Sequence, residues 1–151
     1  YRHFDIFIGS EMYYDAMCRA NGYDAAEYEK NMNTIRAEGC EIVIFTFGEK
    51  GCRGVYADKY FELPAIEVKA VDTTGAGDVF HGAFDYAYLQ GWDAERCARF
   101  ATGVSAIKCT RPGGRSGIPT LEVLEKFLET GEIDYSEIDT RVAHYQHGIT
   151  V

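Results

Sequence analysis

Apolar positions along the chain alternate between short strand-like runs and longer helical stripes. Asp5-Ile6-Phe7-Ile8 is an apolar run of strand length, broken at Gly9-Ser10, where Ser10 can cap a brief helix through Tyr14 and Met17. Asp24-Ala25-Ala26-Glu27 has capping-box spacing, with Asp in the Ser/Thr place, and predicts a helix to about Glu38 that stops at Gly39. Glu41-Ile42-Val43-Ile44-Phe45-Thr46-Phe47 is the clearest strand, β-branched and aromatic, and it closes at Gly48-Glu49-Lys50-Gly51. Gly54–Ala57 and Tyr60–Leu63 flank Asp58-Lys59 as the arms of a hairpin ended by Pro64, and Glu67–Val71 predicts one further short strand.

Past the glycines at 75 and 77, Val79, Phe80, Ala83, Phe84, Ala87 and Tyr88 recur at helical spacing up to Gly91. Phe80, Phe84, Tyr86 and Tyr88 follow that periodicity and are assigned to packing. Asp93 can cap the next helix, whose stripe of Ala94, Cys97, Ala98, Ala101 and Val104 is small enough for close packing and ends before Thr110-Arg111-Pro112. A last helix from about Thr120 uses Leu121, Leu124, Phe127 and Leu128, with Gly131 beyond it. From Glu132 the pattern is polar and predicts an irregular extension over 132–151. Strands alternating with helices predict one α/β layered domain with a mostly parallel sheet. The opening Tyr1-Arg2-His3-Phe4-Asp5 reads as a chain entered midway.

Composition narrows the function. The chain of 151 residues is 46% hydrophobic and 26% charged, enough for a real core and too apolar for disorder. A net charge of -9 opposes nucleic-acid binding, which needs clustered Lys and Arg, but leaves room for a small phosphate ligand held by a local pocket of donors. No run approaches the ~20 apolar residues of a membrane span. The five cysteines (Cys18, Cys40, Cys52, Cys97, Cys109) form no C-x-x-C pair and read as buried or idle thiols of a reducing cytoplasm. His144 and His147, in a polar tail, read as incidental.

Chemistry concentrates in Val71-Asp72-Thr73-Thr74-Gly75-Ala76-Gly77-Asp78-Val79-Phe80. Gly75 and Gly77 let the backbone turn tightly, and the unpaired N–H groups of a helix start suit an anionic phosphate. Asp78 at the mouth of this nest would compete with a phosphate unless it had its own task, such as taking the proton of an attacking hydroxyl. Spacing alone leaves a plain reading equally open, in which Asp78 caps a helix and the glycines make a turn. Neither a Walker A loop nor G-x-G-x-x-G is present.

Asp72-Thr73-Thr74-Gly75-Ala76-Gly77-Asp78-Val79-Phe80-His81-Gly82-Ala83-Phe84 closely resembles the C-terminal signature of the ribokinase-like (PfkB-type) carbohydrate kinases. Phe45-Thr46-Phe47-Gly48-Glu49-Lys50-Gly51 is similar to that family's T-L-G-x-x-G strand and nucleotide loop, and Thr110-Arg111-Pro112-Gly113-Gly114 through Ile118-Pro119 to its late loop. The resemblance covers about Asp5 to Leu128. It implies a layered α/β/α ribokinase-like (Rossmann-like) fold, with 1–131 as its C-terminal ATP-binding part. It also implies ATP-dependent phosphorylation of a sugar or sugar-acid hydroxyl.

By position the resemblance makes Asp78 the base and Gly75, Ala76 and Gly77 the anion hole for the γ-phosphoryl. It puts Thr46, Gly48, Glu49, Lys50 and Gly51 along the nucleotide phosphates and ribose, and Thr102 near the adenine. Asp72, Thr74, Lys108, Arg111 and Gly113 match positions that hold a monovalent cation such as K⁺, mostly through backbone carbonyls. Mg²⁺ is implied by the reaction, bridging phosphate oxygens largely through water. The family's N-x-x-E motif is replaced here by Ser10-Glu11-Met12-Tyr13, so Glu11 reads as a helix-start carboxylate or a substitute for the motif's acid. Arg111, Arg115 and Lys50 read as surface charges that could also counter ATP.

Whole members of the family carry a preceding half with most sugar contacts and a β-sheet lid through which dimers form, and nothing here resembles it. The expectation is therefore a chain that binds nucleotide weakly and turns over little by itself, because the acceptor hydroxyl would be poorly held. A non-catalytic nucleotide-binding module and a nucleoside kinase of the same fold stand as alternatives.

Overall fold

A computed structural model describes residues 1–147, with side chains to His144. It divides into two compact units, Tyr1–Ala65 with Trp92–Ala98, and Ile66–Gly91 with Arg99 onward.

The first unit is built on a four-stranded sheet in the order β1 (Ile6–Ser10), β2 (Ile42–Thr46), β3 (Cys52–Tyr56), β4 (Lys59–Leu63). β1 and β2 pair in parallel, Ile6 opposite Ile42, across α1 (Glu11–Asn21) and α2 (Tyr28–Ala37). β2 with β3 and β3 with β4 are antiparallel. The sheet is thus mixed within the α/β class, with one parallel pairing where strand–helix alternation predicts mostly parallel ones. The reason is connection length: a turn at Ala57-Asp58 between the paired Tyr56 and Lys59 can only reverse the chain, whereas a parallel pair needs a crossover. Ala57 takes φ +47 to make that turn, one residue earlier than the expected Asp58-Lys59.

Ile42, Val43, Ile44 and Phe45 are all buried, as the continuous apolar run of a strand covered on both faces should be. On one face Val43, Phe45 and Val55 pack with Tyr14 and Cys18 of α1 and Met32 and Ile35 of α2. β1 continues through Gly9-Ser10 rather than breaking there. Gly9 lies opposite Phe45, and a Cβ on it would stand 2.5 Å from the Phe45 ring. Ser10 does cap α1, accepting from the Tyr13 N–H.

Two local expectations fail for tertiary reasons. Asp24 does not open a capping box. Its Oδ1 accepts from the Ala26 N–H, and the carbonyls of Asp24 and Ala25 accept from the Asn31 amide and the Tyr14 hydroxyl, so the segment stays a turn and α2 starts at Tyr28. Residues 67–71 form no strand, and the Val71 and Asp72 N–H groups share the Cys109 carbonyl instead.

The second unit holds α3 (Ala76–Leu89), most of α4 (Ala94–Cys109), α5 (Leu121–Thr130) and α6 (Ser136–His147). Thr120 caps α5 and Gly131 ends it in the left-handed region, as the sequence predicts. α6 corrects the irregular extension: 136–147 are helical, Ile138 is fully buried, and Asp139 and Arg141 bind Arg111 and the Ile118 carbonyl. Residues 148–151 of that extension lie outside the described ones. All five cysteines are buried. Among the described residues no helix is long and apolar enough to cross a membrane.

Candidate active site

In the second unit the chain turns through Asp72-Thr73-Thr74 and enters α3 at Gly75, whose φ of +73 is the left-handed conformation that glycine adopts without strain. The Ala76 N–H closes the turn onto the Thr73 carbonyl at 3.1 Å. Among the described residues the Gly75 and Gly77 N–H groups have no backbone partner, so two of the three donors expected in the anion hole are open. Asp78 follows in the first helical turn, exposed, with Oδ2 3.9 Å from the point where a Cβ would stand on Gly75. Its carboxylate has no hydrogen bond or ion pair among the described residues. From α4, Ser105 Oγ donates to the Ala76 carbonyl at 3.1 Å and backs the nest.

A cavity of about 670 Å³ opens beside this nest, of the size that takes a small ligand. Thr74, Gly75, Asp78, Gly114 and Arg115 form its polar end, and Val79, Ala83, Tyr86, Phe100, Val104, Ile118 and Leu124 form apolar walls. Phe100 and Val104, one helical turn apart on α4, face it together. Thr102 lies between them in sequence, on another face of the helix, and does not line this cavity.

Asp72 and Lys108 hold the turn in place. Asp72 Oδ1 accepts from the Thr74 N–H at 2.9 Å and Oδ2 from the Gly113 N–H at 2.7 Å, tying the late loop to the nest. These amide bonds, that of Thr74 foremost, lower the Asp72 carboxyl to about 2. Lys108, in the last turn of α4, is fully buried, and its Nζ donates to the carbonyls of Asp72, at 2.9 Å, and of Thr74. The Lys108 carbonyl accepts the Arg111 N–H at 3.2 Å. Three of the five positions expected to ligate a monovalent cation therefore have their carbonyls engaged, two of them by the side chain of a third.

The three cations weighed as counter-charges for ATP separate clearly. Arg111 is committed to α6, with Nε and Nη2 on the Asp139 carboxylate at 2.5 and 3.1 Å and its guanidinium 3.7 Å over the Tyr135 ring. Lys50 is committed to Glu11, Nζ to Oε1 2.7 Å. Arg115 is exposed at the polar end of the cavity, with no ion pair among the described residues.

The second expected phosphate loop belongs to the first unit. Thr46 ends β2, its Oγ1 donating to the Gly9 carbonyl at 3.3 Å. Gly48–Lys50 is a single 3₁₀ turn, exposed, with Gly48 at φ +58 and Gly51 at φ +88. The loop closes on itself through Phe47 N–H to Gly51 O at 2.7 Å and Gly51 N–H to Gly48 O at 3.0 Å. Glu11 sits in the first turn of α1, as a helix-start acid should, and it also accepts from Lys50 of this loop.

Sequence reasoning missed the Lys108 side chain and the placement of Arg115 in the cavity. One signal was available for Lys108. The buried stripe Ala101, Val104 reaches it at the next helical step, and a lysine on a buried face needs acceptors. For Arg115 no local pattern distinguishes a cavity residue from any other loop arginine.

The family model described as pfkB family carbohydrate kinase matches residues 1–121. A nucleoside kinase of Methanothermobacter thermautotrophicus is 33% identical over 124 residues, 82% of this chain and 38% of that one. The ribokinase of Thermotoga maritima superposes with a TM-score of 0.76 at 35% identity, covering 85% of this chain and 43% of its own. The ribokinase of Arabidopsis thaliana, solved with ribose and ATP, superposes with a TM-score of 0.72 at 27% identity, covering 83% and 41%. The chain thus spans less than half the length of the relatives it matches. A ribokinase fold, a glycine nest at a helix start and a match over most of its length place this chain in the PfkB family of carbohydrate kinases.

Proposed function

We propose that this chain carries the ATP-binding, phosphoryl-transferring portion of a sugar or sugar-acid kinase, with Asp78 as the catalytic base. One observation carries the reading: an exposed, unpaired Asp78 carboxylate in the same helix start as the open N–H groups of Gly75 and Gly77, at the polar end of a ligand-sized cavity. The carboxylate takes the proton of the acceptor hydroxyl as its oxygen bonds to the γ-phosphorus of ATP and the bond to the β-phosphate oxygen breaks. The Gly75 and Gly77 N–H groups and the positive end of α3 stabilise charge on the transferring oxygens, and Arg115 adds a mobile positive charge. Mg²⁺ would neutralise the polyphosphate, held through water and phosphate oxygens. No cluster of three or more His, Cys, Asp or Glu side chains stands ready to cage it among the described residues.

In the first unit, the Thr46–Gly51 loop is assigned to the nucleotide on the strength of the family match. A lid-mediated homodimer and a cytoplasmic location belong to the same reading and rest on the resemblance alone, whereas the K⁺ that the resemblance also implies meets carbonyls already engaged by Lys108. A nucleoside acceptor stands beside a sugar, because the archaeal nucleoside kinase matches 82% of the chain.

The test is Asp78→Asn, with phosphoryl transfer and ADP affinity measured on the same preparation. Rate should fall roughly 10²- to 10⁴-fold, the usual worth of a positioned base, while ADP binding is kept. An unchanged rate removes Asp78 from the mechanism. A lost ADP affinity would mean that it holds nucleotide instead.

A further inference from the structure

The buried lysine at the end of α4 does something that the kinase reading does not require. Lys108 is the one lysine among the fully buried residues described, and it forms no salt bridge. Its Nζ is spent on two neutral acceptors, the carbonyls of Asp72 and Thr74, which flank Thr73 in the turn that feeds the nest. An ammonium has three N–H donors and a size close to that of K⁺ or free NH₄⁺, so carbonyls arranged for one suit the other. The residues do not fit an additional free cation. Two of the expected carbonyls already face Nζ, the Lys108 carbonyl faces the Arg111 N–H, and a second positive charge there would sit against the first. Charge balance comes from Asp72, whose carboxylate binds the Thr74 and Gly113 amides of the same turn.

We propose that Lys108 is a tethered cation, whose ammonium takes the place of a dissociable monovalent ion and holds the Asp72–Gly75 turn, and so the glycine nest, in position without K⁺. It is a positioning residue: it touches the carbonyls behind the nest, while Gly75, Gly77 and Asp78 face the ligand. The inference rests on the match of this turn to a cation-holding segment but not on catalysis, so loss of the kinase reading would leave it standing.

Thermal unfolding of the protein at constant ionic strength tests it without turnover. Wild-type Tm should be the same in potassium, ammonium and tetramethylammonium chloride. Lys108→Ala opens a cation-sized space lined by the two carbonyls. Its Tm should drop and then rise by several degrees, saturably, with K⁺ or NH₄⁺ but not with the bulky tetramethylammonium ion. Lys108→Met, which fills the space with a neutral chain, should drop in Tm and show no cation rescue, as a lysine of merely structural worth would in both variants. Wild-type Tm climbing with K⁺ over tetramethylammonium overturns the proposal, as does a Lys108→Ala protein that folds and ignores all three cations. Should that variant not fold in tetramethylammonium, folding restored by K⁺ supports the proposal and failure in every salt overturns it.

Discussion

The two glycine turns of this chain, Gly48–Gly51 in one unit and Asp72–Gly75 in the other, resemble each other in composition and differ in what holds them. The first closes on its own backbone, by Phe47 to Gly51 and Gly51 to Gly48, and packs its last glycine under the end of a hairpin. The second has one short backbone closure, Ala76 to Thr73, and one backbone tie, Asp72 N–H to the Cys109 carbonyl, and is further held by side chains: Lys108 on its carbonyls and Ser105 behind it, with Asp72 of the turn itself reaching the Gly113 amide. A turn shaped by steric fit should be intolerant of a methyl group and indifferent to charge. A turn shaped by polar anchors should behave the other way round.

Gly51→Ala is the strongest way to test the first half of that contrast. A Cβ there would stand 2.0 Å from the Leu63 carbonyl oxygen, against backbone that cannot rotate away, at a φ of +88. Both penalties act together, and a loss of about 3 kcal/mol or more in unfolding free energy is expected by urea denaturation. Gly75→Ala has a similar φ, +73, but its nearest neighbour would be the Gly114 carbonyl at 3.4 Å, ordinary contact. Only the conformational cost of about 1–2 kcal/mol should remain. Equal losses at the two glycines would dissolve the distinction.

Lys108→Met comes next in size. Two carbonyls lose the donor that a fully buried lysine gave them, and a buried acceptor without a partner costs about 1–3 kcal/mol. The expected loss is about 2–5 kcal/mol, larger than for Gly75→Ala and opposite to the pattern of the first turn.

How much of this could be read from the sequence follows the same division. The strand at 42–46, the hairpin, the Ser10 and Thr120 caps, and the glycines at 75 and 77 are local: period, β-branching and turn chemistry specify them within a few residues. What escaped depends on partners far along the chain. The Asp24 capping box lost its helix to Asn31 and Tyr14, α6 is docked by Asp139 on Arg111 and by Arg141 on Ile118, and Lys108 finds acceptors 34 and 36 positions away. The Asp78 nest was legible as a motif, yet its orientation towards a cavity shared with Arg115 was not.

Acid should act on the second turn through Asp72. Asp72 has its carboxyl lowered from 3.8 to about 2 by the Thr74 and Gly113 amides, so its ionised form is favoured in the folded state. A lowered carboxylate contributes stability that is fully present above its unfolded value and is lost as pH falls through the folded one. Wild-type Tm should therefore fall between about pH 4 and pH 2, and Asp72→Asn should flatten that part of the profile while lowering Tm at neutral pH. A profile unchanged by the substitution would show that Asp72 does not anchor the turn.

The smallest expected effect is at Lys50, and it separates an exposed lysine from a buried one. Lys50 and Glu11 form a short pair, but their side chains are 62% and 42% exposed, so water and salt screen it in the folded state and solvate either partner well once it is lost. Lys50→Gln and Glu11→Gln should leave Tm unchanged within measurement at physiological ionic strength. The pair should emerge, if at all, as a slight loss at low salt that vanishes as salt is added. Lys108→Met should show no such salt dependence, because the lost ammonium's acceptors are neutral carbonyls and the methionine chain fills the space that a mobile ion would need. A salt-sensitive Lys108→Met difference, or a Lys50→Gln loss as large as that of Lys108→Met, would mean that burial does not set the worth of a lysine in this fold.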